Sequence, residues 1–202
     1  MKKTLITILA TVLICCCVAG GTLAWLMDST KTITNTFTVG NVDIELTETD
    51  VVTDADGNMS KEFKMVPGNK FKKDPTVTVK AGSEACWVFV EVEAINAADF
   101  LNYSVDTSKW KSLDNHDGVY YLEQAALTAD GATDATYAVL ATLTGDTEGN
   151  TVMVKDGVTK SMMDGLNVAG ATLPTLSFTA YAVQKENLTV EAAWAEAQNA
   201  AN

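Results

Sequence analysis

Cys86-Trp87-Val88-Phe89-Val90-Glu91-Val92-Glu93 decides the fold class. Val88, Val90 and Val92 share one parity, and Trp87 and Phe89 the other. A strand with one wet face alternates apolar and polar residues; one that starts apolar on both faces is covered on both. The stretch therefore reads as a strand central in its sheet. Working outward, other segments alternate with period two between turn residues. Val42, Ile44 and Leu46 face one way, with Asp43, Glu45 and Thr47 opposite. Lys61 to Met65 reads as a short strand stopped by Val66-Pro67-Gly68-Asn69, where Pro then Gly suits the centre of a type II turn. Thr76 to Lys80 places Val77 and Val79 inward, and Gly118 to Leu122 follows. Thr136 to Leu143 puts Tyr137, Val139, Ala141 and Leu143 on one face. Thr151 to Lys155 is a weak strand, and Thr175 to Val183 lines up Leu176, Phe178, Ala180 and Ala182. Asn96 to Tyr103 reads as a short helix. Thr189 is placed to cap a second one, with Val190, Ala193, Trp194 and Ala197 at helical spacing. Many short strands with turns between them predict an all-β antiparallel sandwich with a short C-terminal helix and small helical insertions.

The N-terminus has a different logic. Lys2 and Lys3 precede an apolar run, Leu5 to Ala19, and the small residues up to Thr22-Leu23-Ala24. That is the pattern of a secretory signal peptide cut between Ala24 and Trp25. The run is about 15 residues, short of the roughly 20 a membrane span needs. Ile14 before Cys15 argues against a lipoprotein site. The expected organisation is residues 1–24 as signal peptide and 25–202 as one domain, exported and free of the membrane after cleavage. Cys15, Cys16 and Cys17 leave with the signal, so Cys86 has no disulfide partner and the core must hold the domain together. Residues 25–202 carry 12 Lys, no Arg and 26 acidic residues, a net charge near −14. Such a surface excludes nucleic acid and anionic lipid as partners.

A search for chemistry finds little. His116 is the only histidine and lies in the loop Asp114 to Gly118. A zinc protease needs two or three spaced ligands, and His-Glu-x-x-His is absent. No Gly-x-Ser-x-Gly elbow is present. Cys86, inside the central strand, reads as a small buried hydrophobe. Asp54-x-Asp56-Gly57-Asn58 resembles part of a calcium loop, but Met65 stands where the bidentate Glu belongs. Asp146-Thr147-Glu148-Gly149-Asn150 is a similar acidic turn. No catalytic residue, cofactor or metal ligand is expected.

A further strand-like segment lies before Val42, and its later residues, Phe37 and Val39, read with Val42, Ile44 and Leu46 as part of the chain's own sheet, Phe37 at the junction. Thr32, Thr34, Thr36 and Thr38 alternate with Ile33, Asn35, Phe37 and Val39, and the parity flips at Gly40, as at a bulge or bend. Gly21-Thr22-Leu23-Ala24-Trp25-Leu26-Met27-Asp28, followed by Asn35-Thr36-Phe37-Thr38-Val39-Gly40-Asn41-Val42-Asp43-Ile44, resembles the start of TasA/camelysin family proteins. Lys64 to Asn69, Lys73 to Val77, Phe178 to Gln184 and Ala192-Ala193-Trp194 are similar to further family segments. The resemblance implies a jelly-roll-like sandwich, export from a Gram-positive cell and processing by a SipW-type signal peptidase. It also implies a subunit of biofilm matrix fibres whose N-terminal strand enters the sheet of the next copy. The donor segment carried over is Trp25 to Asn35, with Trp25, Leu26, Met27, Ile33 and Asn35 as its contact residues. The partner is then a second copy of the chain or another matrix protein. Two alternatives stand beside it: a non-polymerising surface or adaptor protein, and a camelysin-like metalloendopeptidase, for which the ligands are missing.

Overall fold

The computed structural model describes residues 41–55, 59–143 and 149–200. The signal sequence, the Ala24/Trp25 cleavage site, the segment Trp25 to Asn35, the bend at Gly40 and most of both acidic loops lie outside them.

The central strand is where the sequence puts it. β6 (Cys86–Ile95) pairs antiparallel with β12 (Thr175–Gln184) on one side and β9 (Val119–Gln124) on the other, with Val90 opposite both Ala180 and Tyr120. β8 (Lys111–Ser112) completes the order β12-β6-β9-β8. A second sheet runs β1 (Ile44–Thr47), β5 (Thr76–Val79), β10 (Ala135–Ala138). Alternation then sorts the side chains. Val88, Val90 and Val92 meet Val77 and Val79 in the core between the sheets, with Cys86, Trp110, Leu122 and Val139. Phe89 faces the other way, into a cluster with Ala193, Trp194 and Ala197. The latter three belong to α2 (Val190–Ala200), which covers the outer face of the larger sheet. Thr189 caps it as expected, its hydroxyl accepting the Ala192 N–H at 3.3 Å. Each large apolar side chain buried this way contributes roughly 1.5–3 kcal/mol.

A third, smaller sheet, β4 (Lys70–Lys72), β11 (Thr151–Val154), β7 (Leu101–Asn102), packs with α1 (Lys160–Leu166) around Phe100, Val154 and Val158. β2 (Val52–Thr53) and β3 (Met59–Ser60) form a two-stranded ribbon. The Pro-Gly turn is a type II turn: the Asn69 N–H donates to Val66 O at 2.9 Å and Gly68 has φ +79°.

Three expectations need correction, and one element was not expected. Lys61 to Met65 keeps an alternating burial pattern but joins no ladder; Phe63 packs on the Phe71 ring at 5.0 Å instead. Asn96 to Tyr103 is not a helix. Asn96 sits at φ +50°, the chain makes one turn from Ala97 to Leu101, and β7 follows. The strand expected over Thr136 to Leu143 is shorter, β10 ending at Ala138 with one isolated bridge, Leu140 to Val105. α1 went unread because it buries no side chain fully, so it lacks a strong apolar stripe.

Candidate functional site: an open flank of the sandwich

The two flanks of the sandwich differ. On the β9/β10 flank Trp110 is fully buried, and its indole N–H donates to Ala138 O at 2.9 Å. The Tyr137 ring stands edge-on to Trp110 at 6.3 Å, and the Tyr137 hydroxyl donates to Gln124 Oε1, tying β10 to β9. That side is sealed by side chains from both sheets.

Among the described residues, nothing seals the β1/β12 flank in this way. Both strands are the outer members of their sheets, and among the described residues neither pairs with a further strand on its outer edge. They come near each other without pairing. Their inward residues, Val42, Ile44 and Leu46 on one side and Leu176, Phe178 and Ala180 on the other, belong to the core cluster yet stay half-buried. The neighbouring central residues Val77, Val79, Val88 and Val90 are fully buried. β12 carries no charge over its ten residues and no proline. Edge strands are normally blunted with charge, proline or short length, and β12 has none of these.

One polar group sits at the end of this seam. The inward series Val42, Ile44, Leu46 continues in parity to Glu48, just past the end of β1. Glu48 Oε2 pairs with Lys73 Nζ at 2.5 Å, and both side chains are largely covered, 10% and 15% exposed. The ammonium lies over the Phe178 ring of β12, 5.0 Å from its centroid. Glu48 Oε1 is buried and has no hydrogen-bond partner. The even-numbered series is the signal that would have found Glu48 in the sequence.

Little else gathers chemistry. Among the described residues no group of three or more His, Cys, Asp or Glu is arranged to hold a metal ion. His116 is exposed in its loop, edge-on to Trp194 at 6.1 Å. Cys86 is fully buried, and burial pushes its thiol up to about 11. An open hollow at the end of β12, lined by Val183, Gln184, Glu186, Asn187, Leu188 and Glu196, holds no nucleophile beside a base. No helix among the described residues is long and apolar enough to cross a membrane.

Fold and flank together define the class: an antiparallel β-sandwich whose described residues leave two sheet edges along one side. The family model of the camelysin metallo-endopeptidases matches residues 1–109, more than half of the chain. The chain belongs to this family, which also includes TasA. No curated protein and no solved structure matches it.

Proposed function

We propose that this chain is an exported structural protein, a subunit of extracellular biofilm matrix fibres, and not an endopeptidase. In this reading a SipW-type peptidase cuts after Ala24, and the segment Trp25 to Asn35 of one copy adds as a strand to the sandwich of the next. Joining one end to a different face of the next copy does not close on itself, so it yields a filament. The observation that carries the reading is the ten-residue edge of β12, on which no described strand pairs, beside a half-covered core. An exposed edge takes affinity from main-chain hydrogen bonds and specificity from alternate side chains. Uncut, the donor segment stays tethered to the signal sequence, which keeps assembly outside the cell.

The test compares two purified chains, one beginning at Trp25 and one at Thr36, by negative-stain electron microscopy. Fibres from the first and monomers from the second are expected. Monomers from both would overturn the reading and favour an adaptor. Peptide cleavage by the first chain that a chelator abolishes would restore the family's enzymatic label.

A further inference from the structure

The sequence holds seven methionines, and five of them, Met59, Met65, Met153, Met162 and Met163, lie among the described residues. Their placement is uneven. The cluster between the two larger sheets and the cluster beneath α2 contain none. In the third cluster Met65, Met162 and Met163 pack around Phe100, Val154 and Val158. The last three are buried, whereas all three methionines are half-buried, within reach of small solutes. α1 leans on these side chains. It buries none of its residues fully, and Met162, Met163 and Leu166 are its apolar contacts with the cluster. Among the described residues, its side-chain hydrogen bonds stay within the helix and its caps: Lys160 to Asp164, the Asn167 amide to Met163 O, and the Met162 N–H to Thr159 Oγ1. Its seven residues are too few to hold a helix unaided, since isolated helices shorter than about 12–15 residues are marginal. α1 therefore persists only while docked, and two of its three docking side chains carry sulfur.

We propose that Met65, Met162 and Met163 are an oxidation site that controls the docking of α1. The reagent is a two-electron oxidant of the peroxide class. The thioether sulfur attacks one peroxide oxygen; an S–O bond forms, the O–O bond breaks, and the second oxygen leaves as water. Sulfur is oxidised to the sulfoxide and the peroxide is reduced. The new oxygen is polar and accepts hydrogen bonds, which the apolar side chains of the third cluster cannot donate. Its hydration favours α1 lifted from the sheet over α1 docked, and the lifted segment unwinds. Both larger clusters are free of methionine, so the response stays confined to α1 and the third sheet. Sulfoxides are reduced back by thiol-driven reductases, so the change is reversible. Met59 is an internal control, 45% exposed and outside all three clusters.

The test treats the chain beginning at Trp25 with hydrogen peroxide and follows it by peptide mass spectrometry and amide hydrogen exchange. Met65, Met162 and Met163 are each expected to gain one oxygen. Peptides covering residues 159–167 should then exchange at least about tenfold faster, while those of β6 and β9 keep their protection. Once a methionine sulfoxide reductase has removed those oxygens, α1 should return to its original rate. Replacing the three together, Met65→Leu, Met162→Leu and Met163→Leu, keeps apolar side chains of nearly the same volume and removes the sulfur. In that variant peroxide should still oxidise Met59 and leave α1 protected, a separation that general damage would not give. The assignment is overturned if the three methionines stay unoxidised when Met59 is fully converted, or if their sulfoxides leave the exchange of α1 unchanged. Loss of protection throughout β6, or fast exchange that outlasts reduction, would equally overturn it. All four of these results are read on the unaltered chain and stand whether or not the leucine variant folds. A folded leucine variant whose α1 still loses protection under peroxide would overturn it too.

Discussion

Cys86 shows how one buried group ties stability to pH. It lies in β6 with no exposed surface, and burial raises its thiol from 9.0 to about 11. The unfolded chain releases this proton at lower pH than the folded one. The stability contributed is therefore complete below pH 9 and lost as pH rises toward 11, by roughly 2–3 kcal/mol for two units. Burial also raises the hydroxyls of Tyr103, Tyr137 and Tyr181, which acts in the same direction. Urea denaturation at pH 8 and pH 10.5 should show a lower midpoint at the higher pH, and Cys86→Ala should reduce that difference. An unchanged difference would assign the alkaline loss to the tyrosines alone. The native thiol should also resist labelling at pH 8 and react once the chain is unfolded.

At the scale of elements, two glycines separate backbone strain from lack of space. Gly82 has φ +92° and nothing within 4 Å of where a Cβ would stand. Gly118 has φ +79°, and a Cβ there would meet the Val92 carbonyl oxygen at 2.6 Å, just where Val92 N–H donates to Gly118 O at 2.8 Å. Gly82→Ala is expected to cost about 1 kcal/mol, for conformation alone. Gly118→Ala is expected to cost roughly 3 kcal/mol or more, because backbone at the β6–β9 junction must move. Equal losses in a denaturation series would contradict this close approach. The same junction explains what the sequence revealed. Period two named β1, β5, β6, β9 and β12 because each has a buried or half-buried face, and such faces write alternation. It misread Lys61 to Met65, where alternating burial persists without a pairing partner. It misread Asn96 to Tyr103, where a left-handed Asn96 and a side-chain bond to Thr172 O at 2.8 Å set the turn. Glu48 lay in plain sight in the even-numbered series, but its meaning depends on Lys73 and Phe178, which are distant in sequence and meet it only in the fold.

For the whole molecule, charge and the proposed strand addition pull in opposite directions, and their balance is measurable. The full chain carries −12 at pH 7, and residues 25–202 about −14. Subunits of one sign repel as they approach, so elongation in a head-to-tail fibre is slowed by a field that salt screens. The screening length falls from about 30 Å at 0.01 M to about 8 Å at 0.15 M salt. The contact proposed for the seam is apolar side chains and main-chain hydrogen bonds, both little affected by that screening. Elongation of the chain beginning at Trp25 should therefore accelerate several-fold between those two salt concentrations and then level off. Attraction between opposite charges on two surfaces would give the reverse, a rate that falls with salt. A falling rate would show that surface ion pairs join the subunits, and it would remove the edge of β12 from the centre of the contact.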